Sequence, residues 1–403
     1  MQCEASNVLM TDIDIRPVST RQELNQFITL PSKLYQGMEG FVEPFNMEQT
    51  HLLHPRHSAV FRHADIQYFM AWRHGTPIGR IAAILDHRAI EHWNERIGGF
   101  GALDALPEQA IVTALLNAAE KWLAQHKVTS IRGPVTLSGN AETGTLVEGQ
   151  RSDPMIAMPW HPPELDALIR YAGYEKATDL LSYRLEINAD TEKKFKVPSN
   201  LRPEKGRLNG FTTRSLSKRE ILSQGEILRK LYNDAWSHKY NFVPMEDYEM
   251  TAMIAQIKPL LRPENYVQID QNGTPVAMAM VLPNLYDITK DIGGSPSVIG
   301  WLRFGYRLLF HRFESARVIL LGVSSRVRGT LMGSLLPSLA IVELLNRRHT
   351  LPYKWVELGW ILEDDTNMRN LAESLVPSPY KTHRLYEKTI NQDKKDETRT
   401  ASS

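Results

Sequence analysis

The sequence repeats one order of structural elements, and this repetition limits the folds that the chain can adopt. In the first half, apolar periodicity predicts a helix at Arg21–Leu30 that Pro31 ends. A strand pair turned at Gly75 follows it. The predicted elements after that helix are the strands Ile66–Arg73 and Pro77–Leu85, the helix Glu108–Gln125, the strand Ser130–Leu137, the helix Pro163–Ala172 and the strand Leu180–Ile187.

The second half follows the same order, with a hairpin turned by Asn272-Gly273, a dipeptide that favours tight β-turns. Its predicted elements are the helix Gln224–Ser237, the strands Tyr266–Ile269, Pro275–Leu282 and Ala316–Val323, the helix Met332–Arg347, the strand Trp355–Leu362, the helix Thr366–Leu375 and the strand Thr382–Glu387. The shared order predicts an α/β (α+β) protein of two tandem domains, each a mixed twisted sheet flanked by helices.

The predicted domain boundaries follow from length and local composition. A chain of 403 residues exceeds one ordinary core, so two domains are expected. Residues 188–208 are rich in Lys and Arg and poor in large apolar residues, which is typical of a linker. We therefore predict domains at 12–187 and 209–389, with a disordered tail at 390–403.

Composition excludes several classes of function. A net charge of +1 provides no basic field for nucleic acid, so no nucleic-acid partner is expected. No run of about 20 apolar residues is present, and the N-terminus lacks the basic and apolar regions of a signal peptide. A cytoplasmic protein is predicted, with a peripheral contact at the inner membrane as a variant. The only cysteine is Cys3, and no His, Cys or carboxylate group has metal-site spacing, so no metal is expected.

One segment of the second half has the pattern of an anion site. A β-branched strand ending at Gly322-Val323 leads through a loop with Arg326, Arg328 and Gly329 into a helix that contains Gly333. Backbone N–H groups at a helix start, together with arginines, bind phosphate groups. The sequence therefore predicts a pyrophosphate site here, and an ordinary strand–turn–helix with exposed arginines is the alternative.

This segment resembles the pyrophosphate loop of the GNAT superfamily, Arg/Gln-x-x-Gly-x-Gly/Ala, which binds acyl-CoA. Two registers fit in part: one begins at Arg328 and has Leu331 at the first glycine position, and the other begins at Arg326 and has Leu331 at the last position. We prefer the first, since Gly333 then opens the helix. The resemblance implies acyl-CoA as the donor substrate.

The likeness extends over roughly residues 12–388 and is to bacterial tandem-GNAT N-acyltransferases. It rests on PSKLYQGMEGFVEP, GRIAAILD, IRGPVTLSGNAETGTLVEG and YAGYEKATDLLSYRL in the first half, and on LYNDAWSHKYNFVPM, ELGWILEDDTNM and YKTHRLYEK in the second. No Arg-plus-glycine loop follows the first hairpin, and Gly98-Gly99-Phe100-Gly101 has only Arg96 nearby. The first domain is therefore predicted to be a degenerate catalyst.

N-acylation requires a base for the amine and an N–H donor for the thioester oxygen. Glu363 is the first candidate base and Glu357 the second, and solvated carboxylates that cap the next helix are the alternative; Asp365 has the position of that N-cap. Val323 is the predicted amide donor. The resemblance places Asn367 near the CoA arm and makes Tyr386 a candidate acid for the thiolate, with a buried structural tyrosine as the alternative.

The candidate acceptor residues lie in both halves. Asn233, Trp236 and Asn241 occupy the segment that shapes the acceptor pocket in GNAT proteins, although Trp236 is also compatible with a core position. In the first half, Asn140 and Glu142 follow a strand and either form an acceptor wall or stabilise their own turn.

An insertion at 284–315 contains SVIGWLRFGYRLLFHRF, which as a helix places Arg303, Arg307 and His311 on one side. Basic amphipathic helices with aromatic residues contact anionic membranes, so residues 298–313 are a candidate membrane surface. Packing on its own domain is the alternative. Some tandem-GNAT relatives acylate sphingoid bases, and the leading substrate hypothesis is therefore a long-chain acyl group or a lipid amine.

Rival functions stay open. One is a non-catalytic acyl-CoA- or lipid-binding module, which Leu331 in the loop favours, and another is an acyltransferase for a small amine or a peptide. An aminoacyl-tRNA-dependent transferase is disfavoured because no basic tRNA-binding arm is present. Neither a Nudix nor a P-loop motif occurs in the sequence.

Overall fold

A computed structural model describes residues 12–138, 142–188, 190–195, 210–347 and 351–390. They form two compact units. Unit 1 comprises Met1–Asp179, Gly293–Ser295 and Thr382–Ser403, and unit 2 comprises Leu180–Ile292 and Pro296–Lys381. The predicted tail, apart from Ile390, and most of the predicted linker lie outside the described residues.

Helices and strands are interspersed along the chain. The elements of the first half are β1 (Asp14–Pro17), α1 (Arg21–Leu34), α2 (Asn46–Leu53), β2 (Ala64–Arg73), β3 (Thr76–Asp86), α3 (His87–Trp93), β4 (Ile97–Ala105), α4 (Gln109–Ala124), β5 (Ser130–Gly133), β6 (Thr145–Glu148), α5 (Leu165–Tyr171), β7 (Glu175–Glu186) and α6 (Thr191–Lys194). Those of the second half are β8 (Phe211–Arg214), α7 (Lys218–Ser223), α8 (Gly225–Trp236), α9 (Asp247–Ile257), β9 (Tyr266–Gln271), β10 (Thr274–Pro283), α10 (Tyr286–Thr289), α11 (Val298–Phe310), β11 (Ser315–Val323), α12 (Leu331–Asn346), β12 (Trp355–Leu362), α13 (Thr366–Leu375) and β13 (Lys381–Thr389).

Unit 1 is a mixed sheet in the order β1-β2-β3-β4-β5-β13, and β6 also pairs with β13. The pair β4–β5 is parallel and the others are antiparallel. Apolar residues of α4 recur at helical spacing and are fully buried against this sheet, among them Ile111, Leu115 and Ala119. The expected mixed sheet with flanking helices is confirmed in this unit.

Unit 2 repeats the pattern in the order β8-β9-β10-β11-β12-β7. Its one parallel pair among the described strands is β11–β12, and α12 packs on the sheet with Leu336, Leu339 and Ala340 fully buried. The run AMAMV in β10 is buried throughout, which is typical of a strand covered on both faces. The predicted fold class is confirmed here too.

The two units exchange their last strands relative to chain order. Leu180–Ile187 was predicted to close the first domain, but residues 180–186 of β7 pair with β12 of unit 2. Residues 382–389 of β13, predicted to close the second, pair with β5 and β6 of unit 1. Element order alone does not determine which strand fills the last position of a sheet.

Pro31 does not end the first helix, and this prediction was wrong. Proline removes the hydrogen bond to the carbonyl four residues earlier, here that of Phe27. The buried guanidinium of Arg80 takes this place, since its Nη1 donates to the oxygen of Phe27 over 2.7 Å. The helix therefore continues to Leu34.

The predicted strand Ser130–Leu137 is also shorter than expected and ends at Gly133. The glycine run at 98–101 belongs to β4, which the sequence analysis missed. Val135 lies beside this strand and donates its N–H to the oxygen of Phe100 over 2.9 Å. A Cβ on Gly101 would lie 1.6 Å from the oxygen of Val135, so only glycine fits there.

Candidate acyl-transfer site

The parallel strands of unit 2 separate towards their carboxyl ends. The pairing of β11 with β12 covers only Ser315–Val318 and Trp355–Leu358, although both strands continue for four or five more residues. The N–H of Ser324 points towards β10 and donates to the oxygen of Val276. Successive N–H groups of a strand point to opposite sides, so Val323 and its partner Ala277 form a non-hydrogen-bonded pair. The N–H of Val323 therefore faces the open edge, where the described residues provide it with no partner.

In the described part of unit 1, β4 has no equivalent opening, because the segment around Val135 lies directly beside it. The connection from β4 to α4 is also short, with three residues at 106–108, whereas seven residues at 324–330 join β11 to α12. That the first domain is degenerate as a catalyst stays a prediction.

A buried ion pair lies where β11 and β12 separate. The guanidinium of Arg317 is 3.1 Å from Oε1 of Glu357, which is fully buried, and the hydroxyl of Tyr380 donates to Oε2. Burial, followed by the adjacent carboxylate, raises the pKa of Tyr380 well above its usual value. Glu357 was the second candidate base, but in this structure it is committed to a structural pair and shielded from solvent.

The loop between β11 and α12 presents backbone donors. Thr330 caps the helix, accepting the N–H of Gly333 through Oγ1 over 3.0 Å. Within the described part of the chain, the N–H groups of Gly329, Leu331 and Met332 have no hydrogen-bond partner. Gly329 has a φ of 79°, a conformation that favours glycine. Three free donors at the positive end of a 16-residue helix form a site suited to a phosphate group.

The two arginines of the loop have different environments. The guanidinium of Arg328 donates to the oxygens of Asp234, Ala235 and Val323 and lies 2.9 Å from Nδ1 of His238, so it ties the loop to the end of α8. Arg326 is exposed and has no ion-pair partner among the described residues. The free cation and the free N–H groups of Gly329 and Leu331 fit the register that begins at Arg326 better than the preferred one.

Gly333 supports the loop through close packing. A Cβ at this position would lie 2.0 Å from the oxygen of Val327. The loop can therefore pack against the start of α12 in this way only if residue 333 is a glycine. Because its N–H is taken by Thr330, Gly333 holds the loop in shape and offers no donor of its own.

Helix α8 forms one side of this loop. Burial raises the pKa of the Asp234 carboxyl, but hydrogen bonds from Ser324 and Ser325 outweigh it and hold that pKa below its usual value. Trp236 stacks on Tyr232 at 4.8 Å and packs against Gly322, where a Cβ would lie 2.5 Å from its ring.

The predicted acceptor residues of the same segment have local structural partners. The side-chain amide of Asn233 exchanges two hydrogen bonds with the backbone of Met245, at 2.8 and 2.9 Å. Asn241 adopts a left-handed turn conformation with a φ of 57°. Trp236 packs beside Gly322, at the end of the strand that leads into the loop. Contact of these three residues with an acceptor stays a prediction.

Two carboxylates and an amide follow β12. Asp365 accepts the N–H of Met368 and caps α13, as predicted, and it also pairs with Lys239. Glu363 lies at the strand end and is partly exposed, and Asn367 is exposed in the first turn of α13. Of the two candidate bases, Glu363 is therefore the one that is accessible to solvent.

The remaining candidates lie in unit 1. Tyr386 is fully buried in its core and donates to Oδ1 of Asp166 over 2.7 Å, which is the structural alternative foreseen for it. Asn140 lies outside the described residues. Glu142 accepts the N–H of Thr136 through its backbone oxygen over 2.8 Å. Burial, and then the charge of Glu48, raises the pKa of its carboxyl to about 7.

We expect Glu142→Gln to stabilise the protein at high pH. The carboxyl ionises near its usual 4.5 in the unfolded chain and near 7 in the folded one, so folding stability falls as pH rises through this interval. Glutamine removes this loss, and the free energy of unfolding should exceed that of the wild type by about 1–3 kcal/mol at pH 8 and match it near pH 4.5. Urea unfolding at both pH values measures this. Glu164→Gln, at an exposed position, is the control for removal of a charge. If Glu142→Gln differed from the wild type in unfolding free energy by the same amount at both pH values, the prediction would be contradicted.

Within residues that the structure describes, no group of three His, Cys, Asp or Glu side chains is arranged to hold a metal ion. Nor does any described helix combine the length and apolar character needed to cross a bilayer.

Comparison with known proteins identifies full-length relatives. No family model matches the sequence. The chain is 30% identical over 382 residues to a protein of Caulobacter vibrioides named bacterial ceramide synthase, covering 94% of this chain and 98% of that protein. It is 31% identical over 380 residues to protein YghO of Escherichia coli, covering 93% and 95%. The solved structure of a tandem GNAT protein from the clavulanic acid pathway matches 95% of this chain and 100% of its own, with a TM-score of 0.55 at 13% identity, a likeness of fold.

Proposed function

The chain belongs to the tandem GNAT N-acyltransferases, and we propose that it transfers an acyl group from acyl-CoA to a primary amine in unit 2. The observation that carries the proposal is the set of free N–H groups at Gly329, Leu331 and Met332, next to the separated ends of β11 and β12. The pyrophosphate of the donor would bind these groups and Arg326, and the pantetheine arm would lie between the strands.

The chain's own groups have defined tasks in this reaction. The amine nitrogen attacks the thioester carbon, the C–S bond breaks, and the amine loses a proton to Glu363 at the end of β12. The N–H of Val323, directed at the open edge, would donate to the carbonyl oxygen as negative charge develops on it. The leaving thiolate would take its proton from solvent.

We propose a long-chain acyl group or a sphingoid-type lipid amine as the substrate. The name of the Caulobacter vibrioides relative supports this class, since a ceramide is the N-acyl derivative of a sphingoid base. The exposed apolar helix α11 supports it independently, because a lipid substrate must be reached at a membrane.

Release of free thiol from acetyl-, octanoyl- and palmitoyl-CoA, with and without sphinganine, tests the proposed function. Amine-dependent thiol release with a preference for longer chains is expected. Saturable acyl-CoA binding without thiol release would favour the non-catalytic binding module. A preference for short donors and small amines would favour the alternative acceptor class.

Helix α11 is a candidate membrane surface. None of its 13 residues is buried. Of the eleven exposed large apolar residues found among the described residues, seven lie on this helix, which makes it an unusual concentration: Val298, Ile299, Trp301, Leu302, Tyr306, Leu309 and Phe310. Arg303 and Arg307 lie on this helix and pair with Asp291. Two more basic residues, Lys290 and Arg312, lie before and after the helix in the sequence. We propose that α11 lies in the interface of an anionic bilayer.

Replacing Leu302 and Leu309 together by glutamate should reduce the affinity for anionic vesicles at least about tenfold. Burying each leucine side chain in the membrane would contribute roughly 1.5–3 kcal/mol to the binding free energy. Co-sedimentation with phosphatidylglycerol vesicles measures this. Ile227→Glu, an exposed apolar position on α8, is the matched control and should retain binding. Full binding by the double variant would contradict the proposal. A change of oligomeric state without any vesicle binding would instead make α11 a contact between copies.

A further inference from the structure

Unit 2 contains two adjoining cavities that the acyl-transfer reaction does not use. The outer cavity has a volume of about 280 Å³ and opens beside the end of α11, where Leu308 lines it. The inner cavity, of about 50 Å³, lies between the sheet and the second half of α12. Leu351 and Tyr353 line both cavities, which makes them neighbours.

The inner cavity is suited to a hydrocarbon chain. Except for Tyr353, its lining consists of aliphatic side chains from β7, β10, β11, β12 and α12, among them Val281, Val318, Ile341 and Leu345. An apolar space of this kind is filled favourably by methylene groups.

The outer cavity has the opposite character on one side. Arg262, His311 and Arg312 line it, together with the amide of Asn265, which donates to the hydroxyl of Tyr353 over 3.2 Å. Both arginines are exposed, and neither has an acidic partner in the described part of the chain. No carboxylate stands among the described residues that line either cavity. Two unpaired guanidinium groups at the entrance attract an anion.

We propose that the two cavities form one binding site for a single-chain anionic amphiphile. Its carboxylate or phosphate headgroup binds Arg262 and Arg312, the first part of its hydrocarbon chain lies in the outer cavity, and the last few methylene groups enter the inner cavity. The site is separate from the anion loop, because Ile341 and Leu345 lie ten or more residues beyond Leu331, the first residue of α12, which is about 15 Å or more along the helix. The inference therefore goes beyond the proposed function and does not depend on it.

Calorimetric titration of the full chain with monomeric single-chain probes tests the site. Dodecanoate and dodecyl phosphate should bind at least about tenfold more tightly than dodecyltrimethylammonium, and comparison of the two anions identifies the preferred headgroup. Affinity for carboxylates should rise roughly fourfold per methylene until the inner cavity is full. Inorganic phosphate alone should show no binding.

Variants separate the two halves of the site. Arg262→Gln with Arg312→Gln should remove the preference for anions while the affinity for the cationic probe stays constant or rises. Arg219→Gln with Lys230→Gln, at exposed positions of α7 and α8 that line neither cavity, is the charge-matched control. Leu345→Trp should remove the dependence on chain length. Leu345→Trp could disturb the core, whereas both arginines are exposed and their replacement should not affect folding. The double arginine variant therefore tests the site even if the tryptophan variant does not fold.

Competition distinguishes this site from the acyl-CoA site. Free CoA should leave dodecanoate binding unchanged, and the site should persist even if the protein transfers no acyl group. Displacement of dodecanoate by CoA would overturn the proposal, as would equal affinity for anionic and cationic probes. Absence of acyl-CoA binding with intact dodecanoate binding would overturn the proposed function alone.

Discussion

Replacing Glu363 by glutamine should lower kcat for N-acylation by roughly 10²–10⁴-fold and leave the Kd for acyl-CoA nearly unchanged. Glutamine keeps the size and hydrogen-bonding reach of the side chain but cannot accept the proton that the amine loses. The residue lies at the end of β12, on the strand edge that parts from β11, whereas Glu357 is fully buried against Arg317. Steady-state kinetics together with calorimetric donor binding measure both quantities.

The exposed neighbour Asp364 provides the matched control, and Asp364→Asn should retain most of the activity. Acceptors of low pKa, already neutral at pH 7, should lose less activity in the Glu363 variant than strongly basic amines do. A structural role for Glu363 would lower the rate equally for both kinds of amine. Unchanged kcat in the variant would place the base elsewhere and leave the donor cleft as proposed.

Periodicity and turn chemistry predicted most of the second-half elements. Asn272-Gly273 marked the hairpin, and the strand Trp355–Leu362 and the helix Thr366–Leu375 have the predicted bounds. Local signals suffice there because each residue's preference agrees with its tertiary environment. Where a distant group intervenes, as Arg80 does at the carbonyl freed by Pro31, local reasoning fails.

The last strands of the two units illustrate a second limit. Both β7 and β13 were predicted as strands, and both are. Their alternating patterns determine which face is buried, but register and partner depend on contacts far away in the chain. The exchange between units therefore has no local signature in the sequence.

In the candidate site, too, some features have a local signal in the sequence and others depend on distant contacts. Loop composition predicted an anion site, because glycines and arginines at a helix start favour phosphate binding for a physical reason. It did not reveal which arginine is free, since Arg328 is occupied by carbonyl oxygens at the end of α8, about 90 residues earlier. The roles of Asp234 and Lys239 were missed for the same reason, because both act through partners distant in sequence.

Gly333→Ala should weaken acyl-CoA binding by about 100-fold or more. The added methyl group would lie 2.0 Å from the oxygen of Val327, so the loop must move away from α12. The N–H groups of Gly329, Leu331 and Met332 then lose their common direction, and each hydrogen bond to a charged phosphate is worth roughly 1.5–3 kcal/mol. Overpacking at this buried position should also lower the free energy of unfolding by about 1–3 kcal/mol.

Gly305→Ala is the matched control, because it lies inside helix α11 and, apart from the backbone of its own helix, no described atom lies within 4 Å of the added methyl group. Alanine favours the helix there by roughly 0.5–1 kcal/mol, so this variant should be as stable as the wild type or more so, with unchanged donor affinity. Calorimetry with CoA and urea unfolding give both values for each variant. If Gly333→Ala lost stability but kept full affinity for CoA, the pyrophosphate would bind elsewhere, and the first turn of α12 would be a structural feature only.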